Sequence, residues 1–528
     1  MKLGSAQVMR RQAQEQQQAR GASIPAPVGG WNAKDPLADM PPEDAVLLDN
    51  WIPRPGYIEI RRGFIAHIAS TGLGADSLLI WRGGTEDADK VFAVAGGSIY
   101  NVSAAGSLPS ASVTGLSNDR WQYVNFANDA NKYLFAFNGA DTPRKYDGSS
   151  WGTMSITGVT SSLLIDCAVH KRRLLMVEKE SLRIWYLGTE AIAGAAGLLD
   201  FGPVFDKGGV ITCIGTWTID GGQGADDMLV VITNLGQVAI YQGTDPADAN
   251  NWALVGVYEI GAPLGRRALL KYGAELIVLT SDGAIPLSQA LKLNRAEQKN
   301  IAITAKIQNA FAIAARSYAN NNGWEGILYP AGQLAIFNVP ITATTAHQYV
   351  QNVQTGAWCR FTGINAACWG YANGSLYFGG QDGIYRWDTG SSDNGTAITC
   401  DVTTAFSGFG AKHRLKQFTM IRPIIRGPQA ATPSVDMLTE YRTGIPQNTP
   451  DVQILPSAGV WGSGLWGQAL WTSSQALRLY WTDATALGYV GAARMRYVAN
   501  TALTAGAYPE VRVQLIGFDI MYLPGGMI

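Results

Sequence analysis

Between Leu78 and Asp388 the chain repeats one pattern seven times: an apolar run, a turn bearing Gly or Asp, and a second apolar run. KVFAVAGGSIYNV from Lys90, KYLFAFNGADTPRKYDG from Lys132, RRLLMVEKESLRIWYLG from Arg172 and DMLVVITNLGQVAIYQG from Asp227 are the clearest copies. ELIVLTSDGAIPLSQ from Glu275, QLAIFNVP from Gln333 and SLYFGGQDGIYRWDTG from Ser375 complete the set. Anchored on Val91, Tyr133, Leu174, Met228, Glu275, Leu334 and Leu376, the steps run from 41 to 59 residues. A hairpin repeat of roughly 40–50 residues is the mark of a β-propeller, one blade per repeat. The pattern therefore predicts an all-β chain with a propeller of six to seven blades. Such a ring of sheets is a platform or a wall before it is a catalyst.

The same patterning divides the chain into an N-terminal extended arm over 1–50, a propeller over 51–395 and a C-terminal β-sandwich or platform domain over 396–528. In the arm, Gln and Arg crowd positions 10–20, where a short polar helix is expected. Pro25, Pro27, Pro36, Pro41 and Pro42 then favour extended chain over a regular ladder. Trp31 and Leu37, between those prolines, are expected to dock on another surface. PPEDAVLLDNW from Pro41 reads as one helical turn. YIEIRRGF (57–64) alternates like an edge strand, and its place before the first blade suits it to close the ring against the last one. NIAITAKIQNAFAIAARSYAN (300–320) spaces Ile303, Ile307 and Phe311 by four, predicting one short inserted amphipathic helix between the fifth and sixth units, stopped by the NNNG turn. After Gly390, SSDNG is a turn or linker. TAITCDVTTAF, QFTMIRPIIRG, ALRLYWTD, RMRYVAN and EVRVQLIGFDIMYL then read as strands. Trp461, Trp466 and Trp471 recur every five residues, matching neither period, and are read as a loop whose aromatics pack together or against a neighbour.

Composition narrows the function classes. Charged residues make up 15 % of the chain, against roughly 25 % in an ordinary soluble domain, which favours surface hidden in an assembly. The formal net charge of −1 disfavours tight, sequence-independent DNA binding, though not a neutral channel through which DNA slides. Cys167, Cys213, Cys359, Cys368 and Cys400 include no CxxC and sit mostly in apolar runs, so buried free thiols in a reducing compartment are expected. His67, His170, His347 and His413 show no metal-ligand spacing. The N-terminal stretch has no apolar core of a secretory signal, and no run approaches the ~18 apolar residues of a membrane span, so a soluble protein made in the cytoplasm is expected.

No catalytic constellation stands out. SSDNGTA resembles the S-x-D-x-G-x-T box of sialidase propellers but has Ala397 where Thr is required, and that box is structural. Asp388 in YRWDTG reads as a turn aspartate bonding its own backbone. There is no P-loop, Rossmann glycine set, GxSxG elbow or HExxH, so no enzyme activity, cofactor or metal is expected. Two basic clusters remain. HKRR supplies Lys171, Arg172 and Arg173 at a hairpin turn. AKHRLK supplies Lys412, Arg414 and Lys416. Each is a solvated turn or a contact for DNA phosphate or an acidic neighbour.

PAPVGGWNAKDPLADMPPEDAVLLDNWIPRPGYIEIRRGF resembles the N-terminus of tail proteins of short-tailed bacteriophages and prophages. NNGWEGILYPAGQLAIFNVP (321–340), YVQNVQTGAWCRFTG (349–363) and LYFGGQDGIYRWDTG (376–390) resemble their internal stretches. The family that these stretches resemble is the tail nozzle, also called tail tubular protein B. The resemblance implies a virion protein, assembled in the host cytoplasm. It would form a hexamer ring below the portal and adaptor that retains packaged double-stranded DNA and conducts it during ejection through the host envelope. It implies contacts with the tail adaptor protein and with tail fibres or spikes. In that setting Lys412, Arg414 and Lys416 are the favoured channel guides, with Lys171, Arg172 and Arg173 behind them. Trp31, Leu37, Trp461, Trp466 and Trp471 are the candidate assembly contacts. The alternatives are a host-surface glycan-binding or glycan-cleaving propeller, and a cytosolic propeller scaffold.

Overall fold

The computed structural model describes residues 19–69, 72–85, 88–220, 225–427, 433–444, 476–499 and 513–525. They form two bodies. One comprises Ala66–Gln348 and Ile364–Trp387; the other comprises Met1–Ile65, Tyr349–Gly363 and Asp388–Ile528.

The first body is the propeller. Among the described residues, seven antiparallel sheets follow one another, with first strands Ala75–Trp81, Gln122–Ala127, Leu164–His170, Ile211–Asp220, Leu269–Tyr272, Glu325–Tyr329 and Cys368–Ala372. Each first strand lies against the next blade, and Cys368–Ala372 returns to Ala75–Trp81, so the ring closes. The seven anchors of the sequence repeat all fall in the second strand of a blade: Lys90–Ala95, Lys132–Phe137, Arg173–Glu178, Ala225–Thr233, Glu275–Thr280, Leu334–Pro340 and Ser375–Gly379. A second strand has a partner on each side within its sheet and a neighbouring blade over each face. It is therefore buried on both faces and reads as a continuous apolar run rather than an alternating one. Phe92, Phe135, Phe137 and Phe337 are fully buried there.

The cores lie between blades. Leu79, Phe92 and Val94 of the first meet Trp121, Leu134 and Tyr146 of the second. Phe135, Phe137 and Met154 meet Leu174 and Met176 of the third. Ile68, Ile384 and Tyr377 of the seventh meet Leu78 and Ile80 of the first. Ile68 belongs to Phe64–Ile68, which follows Ile384–Trp387 in the sheet order and adds a fourth strand to the last blade. A strand from before the first blade does close the ring, but it is not residues 57–64. Tyr57–Ile60 pairs instead with Trp51–Arg54 and, through Ile58, with Leu515, all within the second body.

The insertion sits between the fifth and sixth blades but is not one helix over 300–320. Leu287–Ala290, Arg295–Ile301 and Gln308–Tyr318 are helical, and Ile303–Ile307 is a 3₁₀ turn. Ala302 is extended, and the Thr304 hydroxyl accepts the Ala284 N–H at 3.1 Å, pinning this stretch to the fifth blade. That tertiary bond, in a β-branched run, overrides the helical period. Ile307 and Phe311 are buried as expected. The Trp324 indole N–H donates to the Tyr318 carbonyl at 2.8 Å and satisfies the end of the last helix.

The second body holds two groups of strands. In one, Lys416–Gly427 pairs along its length with Gln514–Pro524, which is flanked on its other side by Arg20–Pro25 and Tyr57–Ile60. In the other, Trp358–Phe361, Gly30–Trp31, Asp44–Asp49, Thr399–Thr404, Gly491–Val498 and Ser434–Thr439 lie side by side. Residues 51–65 and 349–363 thus belong with the C-terminal strands, so the propeller does not run from 51 to 395. From Arg20 onward the arm is not a free extension either. Arg20–Pro25 makes a six-residue ladder, and Asp44–Asp49 is a strand where a helical turn was expected. The prolines fall at the end of Arg20–Pro25 or in the loops between strands, where no ladder donor is lost. Gly30 has φ +86°, and a Cβ there would lie 2.6 Å from the Trp358 backbone; a Cβ on Gly63 would lie 1.9 Å from the Ser392 carbonyl. Both positions require glycine.

This body also buries a polar cluster. Arg61 has a fully buried side chain, and its guanidinium donates to Asp393 Oδ1 (2.8 Å) and Oδ2 (2.6 Å), Asn50 Oδ1 (2.8 Å), the Arg62 carbonyl (3.0 Å) and the Thr362 carbonyl (2.8 Å). All five guanidinium donors are used. Asp393 comes from SSDNG, which folds into a small hairpin with Asn394 and Gly395 both at positive φ. The turn aspartate Asp388 has φ +61° and faces the Arg62 guanidinium at 4.0 Å.

Candidate functional site

The basic cluster at 412–416 does not act as a unit. Lys416 is 1 % exposed, and its ammonium donates to the carbonyls of Ala411 (2.6 Å), Arg414 (2.9 Å) and Tyr489 (2.8 Å). Burial lowers its pKa, against the pull of Glu440. With all three donors spent inside the fold, it cannot guide DNA, and the role expected of it is withdrawn. Lys412 is exposed and reaches the Ala38 carbonyl at 3.3 Å; Arg414 is half-buried.

The second cluster is a hairpin turn, as its sequence indicates. Lys171 (φ +45°) and Arg172 (φ +61°) are the two central residues between Leu164–His170 and Arg173–Glu178. A two-residue turn with both φ positive normally takes Asn-Gly. Acidic partners offset the charge: Arg172 pairs with Glu190 and, at 3.3 Å, Asp129, and Arg173 with Asp245 at 3.1 Å. This is a charge-balanced turn rather than an open phosphate contact.

The assembly contacts expected at Trp31 and Leu37 are used within the chain. Trp31 is buried, with its ring 5.3 Å from Tyr349 and the Arg360 guanidinium 5.7 Å above it. Leu37 packs on Phe406, Leu438, Val490 and Ala492. Neither is available as a free docking side chain. Trp461, Trp466 and Trp471 lie outside the described residues. All five cysteines are buried free thiols, and burial raises the thiol pKa of each.

The ring instead builds a polar centre that the sequence reading did not single out. Arg267 precedes the first strand of the fifth blade. Its Nη2 donates to the Asp76 carbonyl (3.0 Å) and Ser77 Oγ (2.7 Å) of the first blade and to the Trp121 carbonyl (3.3 Å) at the second. Its Nη1 lies 3.6 Å from Glu325 of the sixth, which accepts the Trp369 N–H of the seventh at 3.1 Å. One guanidinium thus spans the axis from the fifth blade to the first, second and sixth, and Glu325 carries the brace to the seventh. Burial raises the Glu325 pKa, with Arg267 opposing. Burial likewise pushes Asp166 of the third blade up to about 7, against Arg266 and the N–H groups of Cys167 and Ile214.

Arg267 also lines a cavity of about 630 Å³, bounded by residues of the first, second, third and fifth blades and by the turn that leads into the sixth. Arg120, Lys179, Arg266 and Arg267 supply positive charge, and Asp76 and Asp119 negative charge. Asn118, Gln122, Asn138 and Asn320 to Asn322 supply amides. A second depression of about 550 Å³ shares Asp76, Arg120 and the three consecutive asparagines, and extends to residues 342–346, 365–367, 380 and 381. The sequence signal was the GRR of GAPLGRRALLKYG and the NNNG turn, read only as a helix stop. Nothing in a single sequence brings residues 120, 179, 266 and 322 to one place without the ring. Among the described residues, no three His, Cys, Asp or Glu side chains gather into a group that could hold a metal ion, and no helix is long and apolar enough to cross a membrane.

No family model and no curated protein matches the chain. Among solved structures, it is similar to the Cps50 (Swd1) β-propeller domain of Myceliophteria thermophila, with 12 % identity over 62 % of this chain and 98 % of that one, and a TM-score of 0.37. It is similar to a chain of the Mitotic Checkpoint Complex, with 12 % identity over 62 % of this chain and 91 % of that one, and a TM-score of 0.36. The computationally designed Ika8 protein matches with 10 % identity over 62 % of this chain and 99 % of that one, and a TM-score of 0.36.

Proposed function

We propose that the chain is a structural protein of a short phage tail, the nozzle ring that retains packaged DNA and conducts it at ejection. The observation that carries this reading is the resemblance of residues 25–64, 321–340, 349–363 and 376–390 to tail nozzle sequences. The architecture is of the kind that resemblance implies, a propeller joined to a β platform. The low charged fraction supports it as well, since a surface with few charges suits burial between copies. The Arg267 brace adds a geometric constraint. A ring whose axis is crossed by a guanidinium does not itself pass duplex DNA, so the path runs between copies of the chain around a common axis. A net charge of −1 suits a wall that confines DNA by shape, because each fixed phosphate contact adds salt-dependent affinity that slows sliding. Lys412 and Arg414 remain as sparse guides.

The reading is tested by producing phage particles without this chain. Capsids should fill with DNA and then lose it, and complementation with the full chain should restore retention. Infectious, genome-retaining particles lacking the chain would refute the nozzle role.

A further inference from the structure

The geometry points to the axial trough of the propeller as a binding site for an acidic peptide segment, an Asp/Glu-rich loop or terminus of a partner protein. Four features converge on this, none of which rests on the nozzle reading.

The first is charge. The lining carries four cationic side chains against two carboxylates, an excess of two positive charges. Asp76 takes Arg120 Nε at 3.4 Å, and Asp119 accepts the Gly97 N–H at 2.8 Å. Arg267 is spent on the brace. The Arg120 side chain is largely exposed and, among the described residues, both η nitrogens are free to fork onto a carboxylate and Lys179 meets only Glu180 at 4.0 Å. Carboxylates are the natural partners of such groups, with Arg able to bind one through two parallel bonds.

The second is the amides. The side chains of Gln122, Asn320 and Asn322 have no hydrogen-bond partner among the described residues. An amide side chain presents a donor and an acceptor together, matching a peptide N–H and C=O.

The third is shape. The two depressions adjoin through five shared residues, giving an elongated trough rather than a closed chamber. That suits a chain more than a single small ion.

The fourth is what the lining lacks. Its aromatic side chain, Trp324, is 3 % exposed and packs on Phe311. Without an exposed ring face there is no stacking platform for unpaired bases. With Ile165 as the only aliphatic side chain larger than Ala in the main cavity, there is no anchor for an apolar segment either. Recognition by charge and amides alone gives modest affinity that weakens as salt rises.

The test uses the full chain and a fluorescein-labelled peptide alternating Glu and Gly, followed by fluorescence anisotropy at low and physiological salt. Saturable binding that weakens with salt is expected, with no binding of the Lys-for-Glu peptide. The double variant Arg120→Ala/Lys179→Ala should weaken binding by about tenfold or more, since it removes two charge-assisted contacts. Asn322→Ala, an exposed position, should weaken it by about two- to fivefold while leaving the melting curve unchanged. Absence of binding by the wild-type chain would overturn the inference. So would equal binding by a folded double variant. Displacement of the probe by oligogalacturonate or an oligothymidylate at lower concentration than by unlabelled peptide would reassign the site to an acidic saccharide or a single strand.

Discussion

Replacing Asp393 by Ala should destabilise the body that contains it by about 3–5 kcal/mol. The magnitude follows from geometry. Arg61 is fully buried and donates two of its five N–H groups to Asp393, at 2.8 and 2.6 Å, with the other three going to Asn50 and the carbonyls of Arg62 and Thr362. Truncating the carboxylate leaves a buried cation without its counter-charge and two donors without acceptors. Breaking one side of such a pair costs about 3–5 kcal/mol, whereas replacing both sides by apolar groups of similar volume is often close to neutral. The pair also fastens residues 50, 61, 362 and 393, which are far apart in sequence, so local rearrangement cannot easily supply a substitute partner. The assay is urea unfolding of the full chain by tryptophan fluorescence and far-UV circular dichroism, resolving the transitions of the two bodies. With a urea slope of about 1–3 kcal/mol/M, the affected transition should move down by about 1 M or more. The propeller transition should stay in place. Arg61→Met/Asp393→Leu should recover most of the loss. A shift below about 0.3 M in Asp393→Ala, or a double variant no better than the single, would refute the claim that this pair holds the segment together.

Other predictions follow from single groups. Burial raises the Asp166 pKa to about 7, so the folded protein keeps a proton that the unfolded chain releases near pH 4. This contribution to stability is present at low pH and lost as pH rises from about 4 to about 7; melting temperatures of wild type and Asp166→Asn should diverge through that window, and parallel curves would contradict it. Lys416→Met should cost about 1–3 kcal/mol by leaving three buried carbonyls without their donor, while Lys412→Ala should change stability by less than about 0.5 kcal/mol in the same melts. Converting Lys171–Arg172 to Asn-Gly should stabilise the propeller by about 1 kcal/mol in chemical denaturation, because both positions have positive φ and the ion pairs lost from Arg172 are exposed.

The propeller was legible because the second strand of each blade is buried on both faces. Runs such as FAVA at Phe92 and LVVI at Leu229 announce themselves without any knowledge of the fold. The closing strand was displaced by one element because Tyr57–Ile60 and Phe64–Ile68 are both short and apolar, and only long-range pairing, Ile58 with Leu515 against Ile68 with Tyr377, tells them apart. The arm is ordered despite its prolines because prolines forbid ladders only at their own positions, and the partner of Arg20–Pro25 lies some 500 residues away in sequence. Lys416 shows the same limit at a single side chain. In sequence it is one cation among three, and only the carbonyls of Ala411, Arg414 and Tyr489 reveal it as internal. The axial trough was illegible for a related reason. Its residues share no motif, and the ring alone gathers them.

The most direct test of the nozzle reading is the imaging of intact phage tails containing this chain, at a resolution that separates its two bodies. Six copies in one ring below the portal and adaptor are expected, with DNA density on the common axis and none through the individual propellers, where Arg267 stands. A different copy number, a location away from the tail axis, or DNA density threading a propeller would contradict it.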